Sequence, residues 1–431
     1  MSTQGQAQQA VGLVQALLTR LQAEGLAGGA DPAFQIALTY HSIGRIYVEA
    51  NRPDLALDPA KQAIAGFEAL PGEAARGNLA AALGDLSNAY RHLGKLEQAL
   101  EAAERAMVIN RQLKRQHAVA VSVGQIGDIL LVAHRYPEAE ARYTEALRAA
   151  QEVGDVGLQA LILQTQGLLH LEQGNYARSV DLFQQAIAMF QQINDKANEM
   201  RTCDLLATAE RERGDLDAAE AWYLRARQLA EQLQDQHQLA SEAHNLGILY
   251  LIRAEKASDE AERRLWLERA IASVQQSLAI KLERNDQPNA ASSYAQLGKL
   301  HRLRGELDLA EQNLHQALQI YSQLDHPNLW VVYANLAKVA HARGDEAAAS
   351  EWQAKADAKR AEIQRRERGE GTGVRWNDEL IQFIKQVAQA CFQVRQFQAT
   401  LPPDLAEALA QMRAAPAPFP EIAAFLHATA S

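Results

Sequence analysis

Apolar and small residues recur in this chain on two scales. Within a stretch they fall three or four positions apart, the period of a helix with one buried face. Between stretches the whole pattern returns about every forty residues. Small residues mark it best, in pairs seven apart. The first members are Ala56, Ala99, Ala139, Ser179, Ala219, Ala270, Ala310 and Ala349. The second are Ala63, Ala106, Ala146, Ala186, Ala226, Ser277, Ala317 and Ala356. Steps along the first series are 43, 40, 40, 40, 51, 40 and 39. Long alternating runs of Val, Ile or Thr are missing, so the pattern predicts an all-α chain. A fixed period of this size predicts a solenoid, in which each unit buries its apolar faces only against its neighbours.

A landmark twelve residues before each first small residue reads Gly44, Ser87, Gly127, Gly167, Ala207, Gly247, Gly298 and Ala337, with Gly247 set farther back by eleven inserted residues within 252–269. A large apolar residue precedes it in every unit except at Gln166. Between landmark and small pair lies a turn: Asn51, Gly94, His134, Gly174, Gly214, Gly305 or Gly344. Gly and Asn suit the positive φ that ends a helix. Each unit is therefore helix A, a short turn and helix B. Tyr143, Phe183, Tyr223 and Leu314, sixteen after the landmark, are expected to fill the space the small residues leave. Gly154-Asp155, Asn194-Asp195, Gln234-Asp235 and Asn285-Asp286 punctuate the ends of the B helices.

The run Leu-Gly-x-x-Tyr, then Gly-x-x-x-x-Ala with a second Ala seven on, resembles the tetratricopeptide repeat. It is clearest at Leu246-Gly247 with Tyr250, and at Gly94 with Ala99 and Ala106. The usual unit has 34 residues, so forty-residue units imply longer helices, similar to those of kinesin light chains and the Leu-Gly-Asn-repeat adaptors. A HEAT-type array shares the period, but recurrent Gly and Ala at these offsets fit it less well. The resemblance implies a right-handed superhelical solenoid of about eight units over 33–368, followed by a short helical C-terminal extension. Residues 1–32 are expected to form a capping helix (6–24) and a loop. Residues 369–376 read as a linker, and 377–431 as helices that break the period.

Composition narrows the function. The formal net charge is −10, which argues against nucleic acid as the ligand, because phosphates demand a large basic footprint. No stretch is long and apolar enough to span a membrane, and no secretory signal is visible, so a cytoplasmic protein is expected. Its Ala, Gln and Arg content looks bacterial. Two cysteines, Cys203 and Cys391, lie far apart and suggest a reducing compartment. Twelve histidines are scattered without metal-ligand spacing, and no nucleophile, phosphate-loop or dinucleotide motif appears. No enzyme, metal site or cofactor is expected.

The resemblance implies that helix A lines a concave groove, with positions six and three before the landmark, one after and four after pointing inward. The candidate peptide-binding residues are Arg45, Asn88, Arg91, Asp128, Gln164, Thr208, Arg211, His244, Lys299, Arg302 and Lys338. Related arrays place an Asn after the landmark to bond a peptide backbone; Asn88 fits, Asp128 comes near, and the other units depart. The groove is apolar in its middle, from Val121 to Leu171, and basic toward both ends. A protein or peptide partner with acidic ends and an apolar middle would complement it. The reading is a non-enzymatic adaptor or scaffold that binds a peptide or protein segment. The alternative is a sensor whose superhelix changes shape on binding a signal peptide and thereby controls an effector. The C-terminal helices are candidates for self-association.

Overall fold

The computed structural model describes residues 31–367. Among the described residues there are sixteen helices and no strand, arranged as eight consecutive hairpins. Their A and B helices are α1 (Pro32–Glu49) and α2 (Pro53–Glu68), α3 (Glu73–His92) and α4 (Leu96–Gln112), α5 (Gln116–Val132) and α6 (Tyr136–Glu152), α7 (Val156–Glu172) and α8 (Tyr176–Gln192). They continue with α9 (Lys196–Arg213) and α10 (Leu216–Leu233), α11 (Gln236–Lys256) and α12 (Glu260–Glu283), α13 (Gln287–Leu303) and α14 (Leu307–Gln323), α15 (Leu329–Ala342) and α16 (Glu346–Glu367). The chain forms two compact units that meet in sequence between Ile320 and Tyr321. The segments expected to form an N-terminal cap, a linker and C-terminal helices lie outside the described residues, as does Cys391.

The small residues set how closely the two helices of a hairpin approach. Ala99, Ala139, Ala219, Ala270 and Ala310 are completely buried, and so are their partners Ala106, Ala146, Ala226, Ser277 and Ala317. A Cβ placed on Gly127 would lie 2.6 Å from the ring of Tyr143, and one on Gly167 the same distance from the ring of Phe183. The aromatic residue of helix B thus occupies the space that the landmark glycine vacates. Serine enters this seam only where its hydroxyl finds a carbonyl. Ser87 at the landmark donates to Ala99 O (2.7 Å), and Ser179 in the first small position donates to Gly167 O (2.8 Å). The same contact is thereby closed from opposite sides.

The turns within hairpins carry the expected positive φ at Asn51, Gly94, His134, Gly174, Gly214, Gly305 and Gly344. Between hairpins a second left-handed residue, such as Asn194 or Gln234, precedes an aspartate that caps the next A helix. Asp155, Asp195 and Asp235 accept from the backbone N–H groups of Leu158 (2.8 Å), Asn198 (3.1 Å) and Gln238 (3.0 Å). One residue reverses the chain and the next satisfies an orphan donor.

The eleven extra residues lengthen both helices of the sixth hairpin, to 21 and 24 residues against 17 in each helix of the third and fourth. The added turns have their own anchors. Asp259 caps α12 by accepting from Glu262 N–H (2.8 Å), while the Glu262 carboxylate accepts from Ser258 N–H (2.9 Å). Trp266 stacks on Tyr250 with Arg253 over its ring at 4.6 Å.

In the second unit α15 and α16 pair through Tyr333 stacked on Trp352, with ring centroids 5.8 Å apart. The Arg360 guanidinium covers Trp330, and Lys359 bonds Asp325 (2.7 Å).

Candidate functional site: the inner face of the first unit

From the first hairpin to the fifth, each A helix touches the next A helix as well as its own B partner, whereas successive B helices stand farther apart. The stack therefore curves with its A helices inside. The positions that face inward are those left uncovered by the B helices.

Arg45 is exposed on α1 beside Glu49 (3.6 Å). Asn88 and Gln164 are half-buried on α3 and α7, with no side-chain hydrogen bond among the described residues. Arg91 and Asp128 come together from adjacent hairpins. Burial pushes the Asp128 carboxyl above the usual range, while the Tyr143 hydroxyl and the Arg91 charge pull it back. Tyr143 donates to Asp128 at 2.8 Å, so this carboxylate already serves the fold. Thr208 is likewise engaged, 3.1 Å from the Tyr223 hydroxyl, to which Arg211 also donates (3.3 Å). Lys299 faces Glu255 at 3.6 Å, and Arg302 keeps a buried Nε without a partner. Lys338 is exposed in the second unit. The apolar middle is smaller than the sequence implied. Leu131 is 5% exposed and belongs to the core, which leaves Leu161 exposed (41%) and Val121, Leu168 and Leu171 half-buried.

Two clefts open on this face, and they occupy the same place in their repeats. The first, of about 390 Å³, lies across α1, α3 and α5. Its floor is made of small residues, Gly77, Ala80, Ala81, Gly84 and Ala118, and His41, Arg45, Arg115 and His117 rim it. The second, of about 200 Å³, lies between α11, the end of α12 and the start of α13. It is lined by His237, Ser241, His244, Lys281, Arg284, Asp286, Asn289 and Ser292. Once the insertion is allowed for, Asn110 of the first and Lys281 of the second stand at equivalent positions, 23 after the landmark. The other first-unit hairpins through the fifth carry Phe67, Ala150, Phe190 and Ala230 there. Both polar residues bond the serine opposite: Asn110 Nδ2 to Ser122 Oγ (3.3 Å), Lys281 Nζ to Ser293 Oγ (2.9 Å).

His244 of the second cleft stands among the sequence candidates, and Ser241 and Ser292 hold positions expected to point inward. Lys281 and Arg284 were missed because the inward positions were sought on A helices alone. The signal was available as a charged residue in a column that is apolar in the first, third, fourth and fifth hairpins.

Between α9 and α11 lies a buried polar seam. Asn245 Nδ2 donates to Asp204 (2.8 Å), and Glu242 is fully buried beside it, accepting from Gln238 Nε2 (2.5 Å). Burial and the Asp204 charge push Glu242 up to about 9. Nearby Cys203 is buried and its thiol is pushed up to about 12, mainly by burial. That is the environment of an inert thiol rather than a nucleophile. Among the described residues no group of three or more His, Cys, Asp or Glu side chains could hold a metal ion. None of the described helices is long and apolar enough to cross a membrane.

Comparison with known proteins agrees with this architecture. Tetratricopeptide-repeat models match residues 118–192 and 289–356, and a second such model matches 79–113. A solved STAND protein with a tetratricopeptide repeat sensor, from Pyrococcus horikoshii, is 13% identical with a TM-score of 0.54; the match covers 78% of this chain and 54% of that one. BtubC (BKLC) from P. vanneervenii is 21% identical over 53% of this chain and 92% of its own, with a TM-score of 0.47. The Rap conjugation gene regulator of plasmid pLS20, solved with the Phr* peptide, is 18% identical over 71% and 80%, with a TM-score of 0.46. No match is found among curated proteins. A stack of helical hairpins with small residues at the A–B seam and an inner face built from A helices defines an α-solenoid of the protein-binding kind. Over the matched residues, 79–113, 118–192 and 289–356, the chain carries tetratricopeptide repeats.

Proposed function

We propose that this protein is a non-catalytic adaptor whose inner face, from α1 to α13, holds a peptide or protein segment. The observation that carries the reading is the composition of that face. Arg45, Arg91, Arg115, Arg211, Lys281 and Arg302 approach it in a chain whose net charge is −10. Leu161 and Leu168 supply an apolar patch between the charges. Several of its polar groups also lack partners, among them Asn110 Oδ1, His244 Nδ1 and Arg302 Nε. Buried polar atoms without partners are costly in a purely structural role, and a bound chain with carboxylates and amides would satisfy them.

The test is affinity capture from source-cell lysate with the full chain and with Arg45→Glu/Arg91→Glu/Arg211→Glu. The reading expects a stoichiometric partner that the triple variant loses while its helicity and melting temperature are unchanged. A partner retained by the folded triple variant sinks it.

A second reading, a sensor whose curvature changes with its ligand, is favoured by the buried polar seam between α9 and α11. Small-angle scattering that shows ligand-dependent compaction supports it, and an unchanged profile with saturating ligand removes it.

A further inference from the structure

The second inner-face cleft contains a group that packing does not require. At the equivalent position in the second hairpin, the neutral amide of Asn110 makes the same bond to a serine hydroxyl that Lys281 makes. In four other hairpins an apolar residue fills the place. A lysine there is disfavoured on structural grounds, because burial depresses its ammonium and only Asp286 opposes that effect. What Lys281 adds over asparagine is a positive charge on the wall of a cleft. Arg284, exposed and without an ion pair among the described residues, adds a second. The single carboxylate in the lining, Asp286, is already occupied by the Asn289 backbone N–H (3.4 Å) and Nδ2 (2.8 Å).

Apart from Ala240 and Asn289, the remaining lining residues carry side-chain groups able to donate, and they converge from three helices. Ser241, His237 and His244 come from α11, Lys281 and Arg284 from the end of α12, and Ser292 from α13. His244 Nδ1 is buried without a hydrogen-bond partner. A planar carboxylate takes its best bonds in one plane, from a forked donor. Cations, imidazoles and hydroxyls arriving from three sides match a tetrahedral oxyanion with several acceptor oxygens.

We propose that this cleft binds a phosphate monoester carried by the segment that lies on the inner face, with Lys281 and Arg284 as its counter-charges and His244 as a donor that protonates on binding. The proposal rests on the inner-face reading and names the chemistry of one of its contacts. In the free protein burial and the Lys281 charge hold His244 down at about 4. A dianion in the cleft opposes both effects and draws the imidazole back toward its ordinary value.

The experiment uses the full chain with labelled histidine. Inorganic phosphate, O-phosphoserine, acetate and N-acetylaspartate are titrated while the His244 ring resonances are followed across pH. Phosphate and phosphoserine should both shift them saturably and raise the His244 pKa, and the two carboxylates should bind at least about tenfold more weakly. Lys281→Met should weaken phosphoserine by about tenfold or more, the size expected for a lost charge-assisted bond, while melting no lower than wild type. If Lys281→Met fails to fold, Arg284→Gln at an exposed position gives the same readout. Equal affinity for carboxylates makes the cleft a carboxylate site and overturns the assignment. Binding of inorganic phosphate without phosphoserine removes the esterified ligand. No shift, or one that both variants leave unchanged, removes the site. None of these outcomes depends on finding a protein partner, so a failure here is separable from a failure of the groove.

Discussion

Two glycines three residues apart on α5 isolate the rule that builds the stack. Gly124 and Gly127 are both helical, so alanine at either should gain about 0.8–1 kcal/mol of helix propensity. Their surroundings differ. A Cβ on Gly124 meets nothing within 4 Å, whereas one on Gly127 lies 2.6, 2.8 and 3.1 Å from three ring atoms of Tyr143. That ring is fully buried and its hydroxyl is tied to Asp128, so it cannot swing away without losing the bond. Forcing extra volume into such a site costs about 1–3 kcal/mol. The fifth hairpin keeps Ala207 with Tyr223, both fully buried, which shows that the pair can be accommodated where the helices have adjusted. The cost at Gly127 therefore belongs toward the lower half of that range. Gly124→Ala should stabilise by about 0.5–1 kcal/mol, and Gly127→Ala should destabilise by about 0.5–1 kcal/mol net. Urea unfolding followed by circular dichroism gives the two midpoints. Hydrogen exchange of the α5 and α6 amides localises the effect, because repeat arrays need not unfold in one step. If Gly127→Ala is as stable as Gly124→Ala, the small-residue landmark does not set helix approach and the reasoning fails.

Two further outcomes follow from the buried charges. Folded, Glu242 keeps its proton up to about pH 9, against the ordinary glutamate value of 4.5, so its contribution is complete below 4.5 and is lost as pH rises through that window. Glu242→Gln should therefore be more stable than wild type at pH 8 and lose that advantage near pH 4, as thermal melts across pH will show; a pH-independent difference contradicts a Glu242 held protonated by burial and the Asp204 charge. Glu199 is 4% exposed and depends on Arg225 Nη2 (2.8 Å) and Gln191 Nε2 (2.9 Å). Arg225→Ala should cost about 1–3 kcal/mol, less than for a fully buried pair because the arginine is partly exposed, and adding Glu199→Gln should recover most of it in urea melts.

The repeat was legible because its residues do geometric work. Glycine, alanine and serine at the seam, a bulky residue sixteen positions on and left-handed turn residues each answer a steric demand that every hairpin meets alike, so periodicity exposes them. The eleven-residue insertion could be counted but not shaped, since only the structure shows Asp259 and Glu262 starting α12 earlier. Site residues obey no such repetition. Asp128 and Thr208 sit where a groove contact was expected, yet each is engaged by a tyrosine from its own B helix, a pairing set by the third dimension. Leu131, four after its landmark, turns into the core where Arg91 at the same register does not. Lys281 belongs to a column that periodicity marks as packing, and its meaning emerges only when His244, Arg284 and Ser292 are found around the same cleft.

The central claim is that ligand is held on the A-helix face. Its most direct test places a photo-crosslinking amino acid at Ala81, Val121 or Gln164 on that face, and at Glu104 or Gln184 on exposed B-helix positions, then irradiates the full chain in source-cell lysate. The account predicts one discrete crosslinked species from the A-helix positions and none from the B-helix positions. The same species arising from Glu104 and Gln184, with Ala81, Val121 and Gln164 silent, would place the binding surface on the opposite side and contradict it.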